Sequence, residues 1–273
     1  MQANRHLPML LACVLLAGCA HDDPAARAYV LLLGETHDNG EGHRLRLDAL
    51  KQRIAHGWRP AITMEQFDRE QQPALDAAMR ECRNADCVVA RVVTGKSGWQ
   101  WAFYKPVISL ALELGLPVLA ANLSRADAGK VISSGFDSVL AADVRTRYGL
   151  DGAVPATVMA AQIVEVRTGH CDMLPADMLE PMARAQIARD VVMAETVRPH
   201  MARGVALMAG NGHVRRDIAV PYWLRAQGVP NWSVGYVEQS AAEGEFDAQH
   251  AIPPIKRPDA CAGVGNIKGK GAG

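Results

Sequence analysis

Val30-Leu31-Leu32-Leu33-Gly34-Glu35-Thr36-His37-Asp38-Asn39-Gly40-Glu41-Gly42-His43 is the stretch on which the fold turns. Four apolar residues stop at Gly34, and two titratable side chains, Glu35 and His37, follow at once. A short apolar run ended by glycine reads as a buried strand. Charged groups just past its carboxyl end stand where open α/β sheets build ligand sites. The pattern returns late in the chain, where Val205-Ala-Leu-Met-Ala209 runs into Gly210-Asn-Gly-His213. Two Gly-x-x-His sequences, each behind an apolar strand, place two histidines on the rim of one pocket.

Working outward, apolar runs at Tyr29–Leu33, Pro60–Met64, Leu116–Ala121, Val205–Ala209 and Trp232–Val237 read as strands. Helical periodicity fills the intervals, so the expected architecture is α/β: a mostly parallel sheet of about five strands flanked by helices. In the first helix His43, Leu47, Leu50 and Ile54 share one stripe, with His43 at its N-terminal end beside Glu35 and His37. Residues 73–103 read as a helical or loop insertion, and Pro106 opens a helix that stops at Gly115. Residues 125–203 lack a strong strand. They are expected to form a helical subdomain or lid over the strand carboxyl ends. From residue 241 to 273 the chain is Gly-, Ala- and Pro-rich and is expected to be largely disordered.

Each strand end carries groups able to ligate, donate protons or hydrogen-bond. The first offers Glu35 and His37, the second Glu65, the third Asn122 and Arg125, the fourth Asn211 and His213, the fifth Glu238. Asp38 or Asn39 would serve as a helix cap, but capping does not require Glu and His directly after buried strands. Trp99-Gln-Trp-Ala-Phe-Tyr104-Lys-Pro106 gathers aromatics in a chain that is only 5% aromatic. It reads either as a platform for a planar ligand or as core packing. Gln186 and Asp190, one turn apart in an apolar stripe, need partners and are candidates for supporting the pocket.

The 273 residues are 49% hydrophobic and 21% charged, with Lys plus Arg equal to Asp plus Glu at 29 each. A net charge of zero without a basic stripe argues against nucleic acid as a partner. Residues 1–18 read as a signal peptide: Arg5, then an apolar Leu7–Leu16, shorter than the roughly 20 residues a membrane span needs. Leu16-Ala17-Gly18-Cys19 is a lipobox. It predicts cleavage before Cys19, lipidation there by palmitate or related chains, and a linker over 19–27. Ala20 is not the aspartate that retains lipoproteins in the inner membrane. The expected location is therefore the outer membrane, lipid-anchored and facing the periplasm or exposed at the surface. Cys82, Cys87, Cys171 and Cys261 remain, an even number that favours disulfides in an oxidising compartment. Cys82 with Cys87 would close a local loop and Cys171 with Cys261 a long one, although spacing leaves the pairing open.

Familiar motifs fail. Thr94-Gly-Lys-Ser97 lacks the upstream glycine of a P-loop, and Arg215 stands where a dinucleotide fingerprint needs a small residue. There is no Gly-x-Ser-x-Gly elbow and no His-Glu-x-x-His.

At these residues the chain resembles the ChaN-like haem-binding uptake lipoproteins, in a superfamily with the TIKI proteases and erythromycin esterases. The matching pieces are the lipobox, Gly34-Glu-Thr-His37-Asp-Asn39 with His43, Met64-Glu65, Trp99 with Tyr104-x-Pro106, Pro117-Val-x-Ala-Ala-Asn122-Leu-x-Arg125, Gln186-x-x-Arg189-Asp190-x-x-Met193-Ala194 and Gly210-x-Gly-His213. The resemblance covers about residues 28 to 238. It implies haem as cofactor and a role in haem or iron uptake. Tyr104, His37, His43, Asn122, Arg125 and His213 become candidate haem contacts. Tyr104 is the first choice of axial ligand, with Tyr148 and Tyr222 as alternates. It also implies a homodimer around haem and an outer-membrane haem receptor as candidate partners. The alternative reading is a hydrolase in which Glu35, His37, Glu65 and His213 bind a divalent metal or act as acid and base.

Overall fold

The computed structural model describes residues 29–259 and 261–262. The signal peptide, Cys19 and the linker lie outside the described residues. Six strands form one parallel sheet in the order β3-β2-β4-β1-β5-β6. They are β1 (Val30–Leu33), β2 (Ala61–Asp68), β3 (Val118–Asn122), β4 (Val205–Met208), β5 (Trp232–Val237) and β6 (Ala248–Ala251). The helices are α1 (Gly40–Ala55), α2 (Gln72–Glu81), α3 (Ala85–Val92), α4 (Lys105–Leu114), α5 (Arg125–Ser134), α6 (Ala142–Tyr148), α7 (Ala156–Gly169), α8 (Ala176–Val197) and α9 (Val220–Ala226).

The alternation of β1 shows why the expected α/β class holds. Val30 and Leu32 join α5, α6, α8 and α9 in one core, whereas Leu31 and Leu33 join α1 to α4 in the other. A strand apolar on both faces needs a layer on each, and parallel connections supply them. Within the helical block 125–203, α8 serves two ends. Ile187, Val191, Met193 and Val197 are buried in the core, while Gln186 and Arg189 face a cleft at the strand carboxyl ends.

Two expectations need correction. Leu47 is only partly buried, and Arg46 replaces it in the buried stripe of α1 with His43, Leu50 and Ile54. The tail after residue 241 is not disordered throughout. Residues 248–251 pair with β5 as the sixth strand, and Ile252 packs into the core. β6 has only four residues and carries polar Gln249 and His250, so apolar-run reading passes over it.

The structure joins Cys82 to Cys87 and Cys171 to Cys261, at sequence separations of 5 and 90. Loop closure removes more unfolded-state entropy from the longer loop, so the C171S/C261S pair should cost about 2–4 kcal/mol and C82S/C87S clearly less. Urea denaturation of the two double variants checks the order, and non-reduced peptide mapping checks the pairing.

Candidate functional site

Three of the strand ends converge. β1 stops at Leu33, and the residue after Gly34 buries its carboxylate completely: the Glu35 side chain has no exposure. An isolated buried anion would be prohibitively costly, so this one is surrounded by donors. His37 Nδ1–H donates to Oε1 at 2.8 Å and the Tyr104 hydroxyl donates to the same oxygen at 2.6 Å. Arg46, reaching back from the first turns of α1, forms an ion pair with Oε2. Burial alone would raise the Glu35 pKa, but Arg46, His37, His43 and Tyr104 together hold it below the ordinary carboxylate value.

This cluster assigns roles to neighbours that sequence treats alike. His43 is buried, its Nε2–H donates to the His37 carbonyl at 3.0 Å, and its Nδ1 accepts from Arg46 at 2.9 Å. Burial and Arg46 lower its pKa, so it is neutral. His37 differs. Half of its side chain (53%) is exposed, Glu35 fixes the Nδ1–H tautomer, and Nε2 has no hydrogen-bond partner among the described residues. Burial pulls its pKa down, but the Glu35 hydrogen bond and the Glu65 charge outweigh this and raise it.

The second cluster forms around β4. Glu65, inside β2 and not past its end, accepts the Gly210 N–H through Oε2 at 2.7 Å. Its Oε1 lies 3.5 Å from His213 Nε2, and His213 Nδ1 meets Asp190 Oδ1 of α8 at 2.6 Å. Asp190 Oδ2 in turn accepts from Gln162 at 3.3 Å. Burial pushes Asp190 up to about 6, against the pull of His213. Burial opposes charge on His213, yet Glu65 and Asp190 prevail and raise it to about 9. At neutral pH His213 is thus an imidazolium between two carboxylates.

Two glycines let the clusters touch. A Cβ on Gly210 would lie 2.8 Å from His37 Cε1, and one on Gly34 would lie 2.2 Å from Asn211 Oδ1. Asn211 spends its amide on the backbone of Tyr236, donating to O at 2.6 Å and accepting from N at 3.1 Å. It brackets the sheet and is not free for chemistry. A third group lies beside these: Arg189 donates to Asn122 Oδ1 and the Leu123 carbonyl, both at 2.7 Å, and Asn122 donates to Asp68 at 3.1 Å. Glu238 stands apart, held by Asn39 and Arg257.

A cleft of about 570 Å³ opens over Glu65, Gln66, Asp68, Asn122 and His213. Trp99, Trp101, Lys96, Arg125, Gln186 and Arg189 form its walls. Asn122, Arg125 and His213 therefore belong to the cleft, and His37 stands outside its lining.

Several candidates are reassigned. Tyr104 is fully buried and donates to Glu35, and burial beside that carboxylate raises its pKa far above the usual phenol range. In this structure its hydroxyl faces Glu35 and not the cleft. Tyr148 and Tyr222 pack around Trp223 in the other core, away from the Glu35 cluster. His43, with both ring nitrogens occupied, has no atom to offer a ligand. Among the described residues no group of three or more His, Cys, Asp or Glu side chains is arranged to hold a metal ion, so the divalent-metal reading of Glu35, His37, Glu65 and His213 finds no support there. The residue missed altogether is Arg46, a charge at i+3 from His43 in an apolar stripe, which needed an anion within reach. Gln66 was missed as well.

With this geometry in place, comparison with known proteins decides the family. Residues 23–224 match the family model described as "Haem-binding uptake, Tiki superfamily, ChaN". The chain belongs to this family. Among solved structures it is similar to ChaN of Campylobacter jejuni, described as cofacial haem binding, at 19% identity and TM-score 0.68, over 81% of this chain and 86% of that one. That likeness shows the fold. An erythromycin esterase mutant, EreC in its open conformation, matches at 11% identity and TM-score 0.45 over 78% of this chain and 71% of that one. The type III effector HopBA1 matches at 12% identity and TM-score 0.42, over 84% and 90%. No curated protein matches the chain.

Two outcomes follow from the charges. Removing the Glu35 carboxylate strands buried Arg46, so Glu35→Ala should cost about 3–5 kcal/mol in urea denaturation. For His213 the folded pKa of about 9 lies above its ordinary 6.5. Its stabilising contribution is therefore complete below pH 6.5 and lost as pH rises to about 9. The urea midpoint should fall across that window, and His213→Gln should remove part of the slope.

Proposed function

We propose that this ChaN-family chain binds haem as cargo, with His37 supplying the imidazole to iron, and that it serves haem or iron uptake as an outer-membrane lipoprotein. The observation that carries the ligand choice is His37 itself: an exposed ring, Nδ1–H fixed on buried Glu35, and Nε2 without a partner. Hydrogen bonding of the far ring nitrogen to a carboxylate orients an imidazole and raises its basicity toward a metal. Trp99, with its ring 5.0 Å from that of His37, offers an apolar edge beside it. The lipobox at Cys19 supports anchoring. The cofacial haem of the Campylobacter protein supports an arrangement in which two copies each present His37, and an outer-membrane receptor is the corresponding source of cargo.

A hydrolase is the second reading, favoured by Asp190, His213 and Glu65 in line beside the cleft. An imidazolium at neutral pH donates protons and does not accept them, so this arrangement supplies an acid or an anion anchor. A base would then have to be His37.

Titrating haem into apo-protein while following the Soret band tests the first reading. His37→Ala should abolish the shifted band, whereas a folded Tyr104→Phe variant should keep it. Binding should also weaken as pH falls through the raised pKa of His37, because protonation removes the lone pair that iron needs. Saturable binding unchanged in His37→Ala would refute the ligand choice, and no saturable binding would refute haem carriage. Haem-dependent doubling of mass by light scattering checks the dimer.

A further inference from the structure

The opposite edge of the sheet, where the strands begin, carries a corner that neither cluster uses. Two segments meet there: residues 51–59, which end α1 and lead toward β2, and residues 198–204, which lead into β4. The Arg203 Nε–H donates to the Arg59 carbonyl at 2.9 Å, and the Ala61 N–H donates to the Gly204 carbonyl at 2.9 Å. Trp58 packs so closely on Gly204 that a Cβ there would collide with its indole nitrogen. Tyr29, the residue before β1, joins them, its carbonyl accepting the Val205 N–H at 2.7 Å. Its side chain is 66% exposed, more than any other large apolar residue among those described.

The charge of this corner is one-sided. No Asp or Glu occurs between Asp48 and Glu65, or between Glu195 and Asp217. The flanking acids are already held, Asp48 by Arg44 and Glu195 by Arg147 and Arg198. Lys51, Arg59 and Arg203 are exposed and have no carboxylate partner among the described residues. The guanidinium bonds of the two arginines go to backbone carbonyls, which leave their charge unbalanced. Arg53 stacks over the Trp58 ring at 4.4 Å. Cations beside an exposed tyrosine and a half-buried tryptophan match the boundary of an anionic membrane, where phosphates meet the charge and aromatic rings sit among headgroups. The covalent path adds an independent constraint. Cys19, the lipidation site of the proposed anchor, precedes Tyr29 by ten residues. Ten residues reach at most about 36 Å, so the anchor keeps this corner near the bilayer. Because every strand is parallel, His37 and the cleft lie at the far edge.

We infer that this strand-start corner docks on anionic phospholipid headgroups of the membrane that holds the Cys19 lipid, turning His37 and the cleft away from it. The inference rests on the anchor proposed above and is independent of haem. Lys51, Arg59 and Arg203 face lipid phosphates, and Tyr29 seats its ring at headgroup depth. A lipid tether alone would leave the domain free to present any face. Docked at this corner, it holds the strand carboxyl ends toward the aqueous compartment, open to a second copy or a cargo donor.

The test uses the lipidated protein processed from the full chain, carrying a fluorophore at one of two exposed positions. Ala55→Cys labels the last turn of α1, and Thr94→Cys labels the rim of the cleft. Quenching by a lipid with a nitroxide on its headgroup is read in two kinds of vesicle, phosphatidylcholine alone and phosphatidylcholine with phosphatidylglycerol. Flotation with the phosphatidylcholine vesicles reports the anchor by itself. Strong quenching at Ala55→Cys and little at Thr94→Cys is expected in the anionic vesicles. The contrast should vanish in phosphatidylcholine, and in about 1 M salt, where the Debye length is about 3 Å. Each cation near an anionic surface is worth about a fivefold factor, so Lys51→Gln with Arg203→Gln should lower the ratio of docked to undocked protein roughly 25-fold. The salt series needs no change at either side chain and decides the matter if that variant misfolds. Anchored protein quenched equally at both positions, more strongly at Thr94→Cys, or without dependence on charge would overturn the docking surface and leave the anchor standing. A chain that fails to float with phosphatidylcholine vesicles would overturn the anchor, and the orientation with it.

Discussion

One buried carboxylate organises this end of the molecule. Glu35 follows a strand with no exposed residue, so its oxygens cannot reach bulk water and every favourable contact must come from protein. Arg46 supplies the counter-charge, and Tyr104 and His37 supply hydrogen bonds. Each partner comes from a different element: α1, the segment before α4, and the β1–α1 loop. The carboxylate therefore ties the loop bearing His37 to two helices at once. Without it, Arg46 would be a cation buried against a lone-pair nitrogen of His43 and the face of Tyr104.

That dependence explains what could be read from the sequence and what could not. Five strands were legible because each is a short apolar run closed by turn residues, the pattern a two-sided parallel sheet imposes. The sixth was not, since an edge strand of four mixed residues buries little and depends on β5 for its pairing. Glu35, His37, Glu65 and His213 stood out as titratable groups at or just after apolar runs. Their roles did not, because a role depends on partners distant in the chain. Tyr104 lies 69 residues from Glu35, and Asp190 lies 23 from His213. Tyr104 illustrates the hazard: the aromatic cluster announced a tyrosine near the site, but only geometry shows its oxygen pointing inward. Gln66 gave no signal, since a glutamine in a strand is ordinary until its amide proves to have no partner.

The two histidines also part company through their surroundings. His213 faces carboxylates from two directions and is buried enough that their fields are weakly screened. It keeps its proton at neutral pH. His37 shares Glu35 with a guanidinium that already balances that charge, and half of its ring meets solvent. The same Gly-x-x-His pattern thus yields a fixed cation in one case and a pre-oriented imidazole in the other. Gly210 has no side chain to obstruct the His37 ring, which a Cβ there would meet.

Rigidity around His37 completes the argument for it as a presenting group. Asn39 caps α1 through Oδ1, accepting from Glu41 and Gly42, while its Nδ2 donates to Glu238 and to the Pro253 carbonyl. Arg257 then spans Asp38 and Glu238 with four hydrogen bonds of 2.6–2.7 Å. The contribution of so exposed a bridge to stability is small. Its geometric effect is larger, because it fastens the chain after β6 to the residue following His37. An imidazole on a free loop would lose conformational entropy whenever it took a ligand, and an imidazole pinned at Nδ1, at its neighbour Asp38 and at the cap has lost it already. The segment beyond β5 thus holds in place the loop that β1 delivers.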